Sequence, residues 1–300
     1  MNTSSIRLRS LELVLPDAAD AATYLTDIWG AASAGSQGNT HYIRGSGTFP
    51  YLVALEQGDR RFVRSITFVC SPAELEALKQ RVQAAGLNSR PEKSTDPGGG
   101  EGIVVELGEG ELFRFLANTT EVEPLQGRDL PVKLTHVVVN AVDAEKASHL
   151  VEEVLNFRVS DRTKGMVFVR CNEYHHSTAF ARAGFNSLNH IAFEMQDLEA
   201  VMRGIGRLRD HGMAPAWGPG RHGPGDNAFA YFIAPFGAVV EFSTAVEVIP
   251  DDYRVGAPED WTWPPNRIDQ WGISGKDFDG LKQAEQNFRF YRDWEPQPIN

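Results

Sequence analysis

Two histidines and one glutamate carry the residue types most able to do chemistry in this chain. They are His136 in the segment LTHVVV, His190 in LNHIAF and Glu241 in VVEF. Two imidazoles and one carboxylate supply three metal ligands and leave other positions open, a set suited to non-haem Fe(II) and oxygen chemistry. Zinc with three protein ligands and a water would fit the same residues, so ligand type alone leaves both open.

The trio lies in the second of two similar halves of the chain. Matched residues are separated by 126 positions (Ser10 and His136), 125 positions (Ser65 and His190) and 127 positions (Arg114 and Glu241). A near-constant offset at three separated places indicates an internal repeat. The first half has no ligand at these places, and the guanidinium of Arg114 would repel a cation. We therefore predict a metal site in the second half only.

Each half must supply strands that hold these residues. β-branched and aromatic runs bounded by Gly, Pro or Asn predict the strands. Apolar spacing of three and four, with Asp or Pro at the start and Gly after the end, predicts helices over 20–28 and 72–82 in one half and over 143–155 and 198–208 in the other. The order strand, helix, strands, helix, strands predicts an α+β fold of two tandem modules.

These patterns divide the chain into three parts. Module one covers 1–122 and lacks metal ligands, and module two covers 133–247 and is predicted to be catalytic and metal-binding. A linker containing Pro124 and Pro131 joins them. The tail, 248–300, is too apolar to be plain disorder and is expected to pack on the modules, with a lid or a subunit contact as alternatives. Its aromatic residues include Trp261, Trp263, Trp271, Phe278 and Trp294.

Two further segments could act beside a metal. One holds His175 and His176, and a strand there, antiparallel to the strand of His190, could aim one histidine at the site while the other points away. We expect His176 to face the site, because an imidazole can exchange a proton near neutral pH. The other runs from Trp217 to Tyr231 and is so rich in Gly and Pro that it predicts an irregular binding loop, with His222 and Tyr231 as groups for an oxygen-rich ligand.

Bulk composition excludes several classes of function. The 300 residues are 42% hydrophobic and carry a net charge of −11 without a basic block, which argues against a nucleic-acid partner. The N-terminus lacks the apolar core of a signal peptide, and no apolar run is long enough to span a membrane. Cys70 and Cys171 form no disulfide framework, so a cytoplasmic protein without membrane partners is expected.

Together these motifs resemble those of type I extradiol catechol dioxygenases, ring-cleaving enzymes of the vicinal oxygen chelate superfamily. The resemblance is sharpest from Leu134 to Glu247 and rests on LTH, HHSTA, LNHIAF, GPGRHG and the Tyr231 to Glu241 spacing. It implies paired βαβββ motifs and Fe(II), less often Mn(II), held by His136, His190 and Glu241. A catechol would chelate the ion through both hydroxyls, with O2 as co-substrate.

The resemblance also implies roles for the neighbouring residues. His176 would be the acid–base residue, His222 and Tyr231 would donate to substrate oxygens and to the ring-cleavage intermediate, and Trp217 and Asp226 would contact the substrate. Two positions depart from the family pattern: Asp226 stands where Asn is frequent, and Trp217 stands where one branch carries an Arg. Trp217 favours an apolar or larger aromatic substituent on the ring. A homo-oligomer is also expected.

Three other functions stay open at this point. A non-catalytic protein of the same fold that binds drugs or small aromatics would need no metal. A hydroquinone-cleaving relative would share the ligand set. An isomerase or lyase of the glyoxalase type would draw four ligands from two modules, and Ser65 and Arg114 make module one a poor donor.

Overall fold

The computed structural model describes residues 5–108 and 110–290, and its strands form two similar sheets. Module one contributes β1 (Arg7–Leu15), β2 (Ala32–Gln37), β3 (Thr40–Arg44), β4 (Val53–Gln57), β5 (Phe62–Val69), β6 (Ser89–Lys93), β7 (Glu101–Glu106) and β8 (Leu112–Ala117). Module two contributes β9 (Leu134–Ala141), β10 (Arg158–Arg162), β11 (Met166–Arg170), β12 (Thr178–Arg182), β13 (Ser187–Glu194), β14 (Trp217–Arg221), β15 (Ala228–Ile233) and β16 (Val239–Thr244).

The strands of the two modules pair in the same order. Module one follows β2-β3-β4-β1-β5-β8-β7-β6. Module two follows β10-β11-β12-β9-β13-β16-β15-β14. In each module an antiparallel pair, β1 with β5 or β9 with β13, joins two four-stranded halves. With one helix after the first strand of every half, the expected α+β fold of paired βαβββ motifs is confirmed.

Four helices cover the outer faces of the sheets. They are α1 (Ala18–Thr23), α2 (Pro72–Ala84), α3 (Ala144–Leu155) and α4 (Leu198–Asp210). The carboxylates of Asp143 and Asp197 accept hydrogen bonds from backbone N–H groups in the first turns of α3 and α4, which satisfies donors that a helix start leaves free. The helix α3 ends at Asn156, whose left-handed backbone (φ 60°) stops the helix.

The first helix differs from the prediction over 20–28. The α-helix ends at Thr23, and Tyr24–Ile28 follow as a wider π turn. The backbone N–H of Trp29 closes this turn on the carbonyl of Tyr24 at 2.8 Å. The Trp29 ring is fully buried and stacks on Phe242 of module two at 3.7 Å between ring centres. The two modules therefore share one continuous hydrophobic core.

Two segments near the predicted site have a different local structure from that expected. His175 and His176 lie in the connection before β12, and β12 is antiparallel to β13 but separated from it by β9. The Gly- and Pro-rich segment from Trp217 forms a strand, β14, that pairs with β15 through a register shift between Trp217 and Gly220. The irregular loop is thus shorter than predicted and lies between Arg221 and Ala228. The prediction overlooked that a bulged edge strand accommodates Gly and Pro.

The tail lies against both modules as far as it is described. It contains α5 (Phe278–Ala284) and β17 (Arg289–Phe290). Arg289 pairs with Ser187 of module two and with Phe62 of module one. Trp294 lies outside the described residues. Across the described ranges, no helix has the length and apolar character that crossing a membrane requires.

Candidate metal centre

Three adjacent strands bring the histidines and the glutamate together. Ala192 on β13 lies opposite His136 on β9 and beside Glu241 on β16. His190 precedes Ala192 by two residues and shares its face of the sheet, because side chains alternate along a strand. Val240 and Phe242, which point the other way, join the hydrophobic core. The sheet therefore directs all three polar side chains to one concave face.

The three side chains meet at short distances. His136 Nε2 lies 3.1 Å from Glu241 Oε2, His190 Nε2 lies 3.2 Å from the same oxygen, and the two Nε2 atoms are 3.3 Å apart. All three residues are buried. They form a group of side chains that could hold a metal ion.

The donor set suits a small divalent cation. An ion bound at about 2.1 Å by donors at right angles keeps those donors about 3.0 Å apart, close to the three distances here. The carboxylate of Glu241 is fully buried, and a buried charge needs a counter-charge or a full set of hydrogen bonds. Its other oxygen accepts a long hydrogen bond, 3.3 Å, from Asn227 Nδ2. His190 Nδ1 lies 2.6 Å from Asn189 Oδ1, which orients this ring with Nε2 toward the site.

Protonation also favours metal binding. Burial alone raises the pKa of Glu241, but the neighbouring His136 and His190 lower it further, so the net pKa lies well below the usual range. Burial lowers the pKa of His190. At neutral pH the glutamate is ionised and the His190 ring is neutral, the forms in which both groups bind a metal.

A cavity of about 390 Å³ opens above the trio. His136 and His190 are among its lining residues, and its walls are mostly apolar. The other lining residues include Val138, Met166, Phe168, His176, Asn189, Trp217, His222, Tyr231, Val239, Trp261, Trp263, Ile268, Lys276, Leu281 and Glu285. The cavity is therefore built to enclose an apolar ligand that carries a few polar groups at one end.

Only one of the two adjacent histidines faces this cavity. The ring of His176 lies 4.3 Å from that of His136, whereas His175 turns toward Asp161, with 2.7 Å between Nε2 and Oδ2. Burial, together with the neighbouring histidines, lowers the pKa of His176 well below its usual value. His176 therefore lies on the cavity wall, and His175 lies behind it.

His222 and Tyr231 lie together on the opposite wall. His222 Nε2 is 3.0 Å from the Tyr231 hydroxyl, and Trp217 stacks on the Tyr231 ring at 5.2 Å between ring centres. Burial lowers the pKa of His222 to about 3. Burial and then Glu241 raise the pKa of Tyr231 well above its usual value. Both groups are neutral at pH 7, so they can exchange hydrogen bonds with a ligand without adding charge.

Asp226 does not line the cavity, contrary to the expectation that it contacts the substrate. Its exposed carboxylate accepts a hydrogen bond from Gln270 Nε2 at 2.7 Å and lies 3.3 Å from Arg221. Asp226 has a left-handed backbone (φ 49°) at the tip of the short loop, which turns its side chain outward. Its neighbour Asn227 instead points inward to Glu241.

The tail closes the outer side of the cavity. Trp261 and Trp263 line it, and so does Lys276, whose ammonium group lies 3.9 Å from the centre of the Trp217 ring. Burial lowers the pKa of Lys276. Sequence reasoning missed Lys276, Asn189 and Glu285. The position of Asn189 next to His190 was a usable signal, whereas a single Lys or Glu in the tail gave none.

Comparison with known proteins agrees with this architecture. The family model of the Glyoxalase/Bleomycin resistance protein/Dioxygenase superfamily matches residues 133–242. Module two is therefore a domain of that superfamily, as the resemblance implied. The match begins just before β9 and ends inside β16, so it includes all three residues of the trio.

Individual relatives extend the likeness to both modules. Metapyrocatechase 2 of Cupriavidus necator is 24% identical over 65% of this chain and 68% of its own length. The crystal structure of a Mn(II)-bound glyoxalase from Novosphingobium aromaticivorans is 29% identical, with a TM-score of 0.84 over 94% of this chain and 95% of that one. Homoprotocatechuate 2,3-dioxygenase from Arthrobacter globiformis, 22% identical, has the same fold, with a TM-score of 0.84 over 99% and 96% of the two chains.

Proposed function

We propose that this protein is a metal-dependent extradiol dioxygenase, which opens a catechol-type ring next to its diol and inserts both atoms of O2. One observation carries the proposal. Three donors of the type His, His, Glu lie 3.1 to 3.3 Å apart, and the two histidines line a cavity that His176, His222 and Tyr231 also line. The likeness to proteins named metapyrocatechase and homoprotocatechuate 2,3-dioxygenase supports it.

His136, His190 and Glu241 would hold the ion. When bound, a divalent iron or manganese ion supplies a Lewis acid that binds the diol oxygens and a route for electron density from diol to O2. We propose Fe(II) as the native metal and Mn(II) as the alternative, and the likeness to a Mn(II)-bound structure keeps the second metal in the test. The single negative charge of this trio leaves a divalent ion with net positive charge, which favours an anionic diol.

The surrounding residues would handle protons and orient the ring. His176 would take the proton of one diol hydroxyl and return it later in the reaction, which is general base and acid catalysis. His222 and Tyr231, both neutral and joined by a 3.0 Å contact, would hydrogen-bond to the substrate oxygens. The aromatic walls, including Trp217 and Trp261, would exclude water and pack on the ring. They favour a catechol with an apolar or aromatic substituent.

The test is anaerobic loading with Fe(II), and with Mn(II) in parallel, followed by oxygen and a panel of catechols. We expect oxygen uptake and a yellow ring-opened product, with catechols that carry apolar substituents turned over faster than carboxylated ones. A protein that binds either metal yet consumes no oxygen with any catechol would exclude the proposal. Oxygen uptake with hydroquinones alone would assign the protein to the hydroquinone-cleaving type.

Two further experiments distinguish the proposed function from the remaining candidates. A hemithioacetal substrate tests glyoxalase-type isomerisation, which needs no oxygen. We expect no turnover, because at the matched places module one offers Ser10, Ser65 and Arg114, which are poor ligands. Purified protein without bound metal, and without uptake of added metal, would instead favour a non-catalytic protein that binds aromatic molecules.

A further inference from the structure

Behind His176, two buried side chains form a line that leads away from the cavity. His176 Nδ1 lies 3.0 Å from His175 Nδ1, and His175 Nε2 lies 2.7 Å from Asp161 Oδ2. His175 and Asp161 are fully buried, and His176 is 2% exposed. These are hydrogen-bond distances, so protons must be distributed along the line in a consistent way.

Backbone contacts hold this line in place. The N–H of Gly256 donates to Asp161 Oδ1 at 2.7 Å, and the Tyr253 hydroxyl lies 3.3 Å from Oδ2. The backbone N–H of His175 donates to the carbonyl of Glu247 at 2.8 Å. Gly225 passes directly over the two rings, where an added Cβ would come within 3.0 Å of His175 Nδ1. The rings are therefore fixed by their surroundings.

The direction of the hydrogen bonds between His176, His175 and Asp161 follows from Asp161, which lies at the end of the line away from the cavity. An ionised carboxylate can only accept, so His175 Nε2 must carry the proton that it shares with Asp161. A neutral imidazole has one N–H, so His175 Nδ1 is then an acceptor. His176 Nδ1 must in turn donate to it. The remaining nitrogen of His176, Nε2, is left unprotonated on the side of the ring away from His175.

We propose that Asp161 and His175 are positioning residues that keep His176 in the Nδ1–H tautomer, with Nε2 free to take a proton from the substrate. This inference rests on the proposed function, in which His176 meets a diol hydroxyl. The hydroxyl O–H bond breaks, an N–H bond forms at Nε2, and the electron pair stays on the diol oxygen. Asp161 compensates the imidazolium charge across His175, as the buried aspartate of a Ser-His-Asp triad does for its histidine.

The tautomer can be measured without turnover. In metal-free protein labelled with 15N in histidine, long-range proton–nitrogen correlation identifies which ring nitrogen carries hydrogen, and His175→Gln and His176→Gln assign the signals. We expect the proton on Nδ1 in His176 and on Nε2 in His175. A His176 ring with its proton on Nε2 would overturn the proposal.

Asp161→Asn should reverse both tautomers. Because the Gly256 N–H occupies one carboxylate oxygen, the amide oxygen of the variant is held there and its NH2 group faces His175 Nε2. That nitrogen must then accept, which puts the proton of His175 on Nδ1 and that of His176 on Nε2. Tautomers identical to those of the wild type would contradict the inference.

Kinetics give the second readout. With the metal-loaded protein, Asp161→Asn should lower kcat at least about 100-fold, since the equivalent change in a Ser-His-Asp triad costs about 10⁴-fold. The KM and the metal content should stay within about twofold. Asp210→Asn is the matched control, because it makes the same exchange at an exposed position at the end of α4, and it should keep kcat within about threefold. Wild-type kcat in Asp161→Asn would refute the inference, whereas an inactive wild type with the expected tautomers would refute only the proposed function.

Discussion

Module one and module two carry different residues at the same three strand positions. Where module two has His136 paired with Ala192 beside Glu241, module one has Ser10 paired with Thr67 beside Arg114. In module one the Arg114 guanidinium fills the centre, 3.0 Å from Glu12 and 2.7 Å from Asp96. Glu12 also accepts hydrogen bonds from Ser10, Ser65 and Thr67.

The comparison shows two ways to stabilise a carboxylate inside the same sheet. Module one supplies its own cation, the Arg114 guanidinium, which pairs with the carboxylates of Glu12 and Asp96 and fills the space between them. Module two places Glu241 against two imidazoles and beneath a cavity, which leaves a cation to be taken from solution. One exchange is thus central to the difference between the two modules: the last strand to join the sheet's centre carries Arg114 in module one (β8) and Glu241 in module two (β16).

Removing a ligand from module two should have the largest effect. We expect His190→Ala to lose bound metal and to reduce ring cleavage below detection, because two donors cannot hold a divalent ion tightly in this open site. Metal content after desalting, measured by elemental analysis, checks this. His149→Ala, at an exposed position on α3, is the matched control and should retain the metal. Full metal retention in His190→Ala would remove this residue from the ligand set.

Replacing the acid–base residue should affect turnover but not metal binding. We expect His176→Phe to keep the metal content of the wild type while kcat falls about 10² to 10⁴-fold, the usual contribution of general acid–base catalysis. Steady-state oxygen uptake on the metal-loaded variant measures this. If kcat were unchanged, the ring of His176 would have no role in proton transfer.

In module one the corresponding change should alter stability instead. Arg114→Met leaves the buried carboxylate of Glu12 without its cation and removes the partner of the half-buried Asp96, and breaking a buried pair such as that of Glu12 costs about 3 to 5 kcal/mol. Urea unfolding of the metal-free protein measures the loss. The control Arg7→Met removes an exposed pair with Glu121 and should cost at most about 1 kcal/mol. Equal effects of the two changes would show that the buried network contributes no more than an exposed pair.

The smallest expected effect is on acid stability. Burial alone raises the pKa of Asp96, but the charge of Arg114 and hydrogen bonds from Arg114, Tyr42 and Tyr51 lower it further, so the net pKa is lowered. The unfolded chain then takes up a proton at about pH 3.9, where the folded carboxylate is still ionised. Its stabilising contribution is therefore present above that pH and is lost as pH falls through the folded pKa.

Unfolding free energies of wild type and Asp96→Asn across this pH range test the sign. We expect the wild type to be the more stable protein at neutral pH and its advantage to shrink as the pH is lowered below about 4. A difference that stays constant or grows with acid would contradict the assigned shift.

The repeat made the strand framework predictable. The near-constant offsets predicted that His136, His190 and Glu241 occupy matching places in a repeated module, and the structure shows that their strands are adjacent. The residues that line the cavity were harder to predict from the sequence. Lys276 and Glu285 reach it through the fold of the tail, and Asp226 leaves it through a left-handed turn, neither of which follows from local residue pattern.

The polar network of module one could not be predicted from the sequence either. Glu12 lies two residues from Ser10, and its partners outside β1 come from two other strands, β5 and β8, and from Tyr51 before β4. Only the three-dimensional register shows that Arg114 meets it. The π turn before Trp29 likewise depends on packing against Phe242, a contact between residues far apart in sequence.

The most direct test of the metal centre in module two is the fate of labelled oxygen. Metal-loaded protein is given one apolar-substituted catechol under 18O2, and the product is analysed by mass spectrometry. We predict that both labelled atoms appear in a single ring-opened product. Label in neither position, or a product with the ring intact, would contradict a ring-cleaving site at His136, His190 and Glu241.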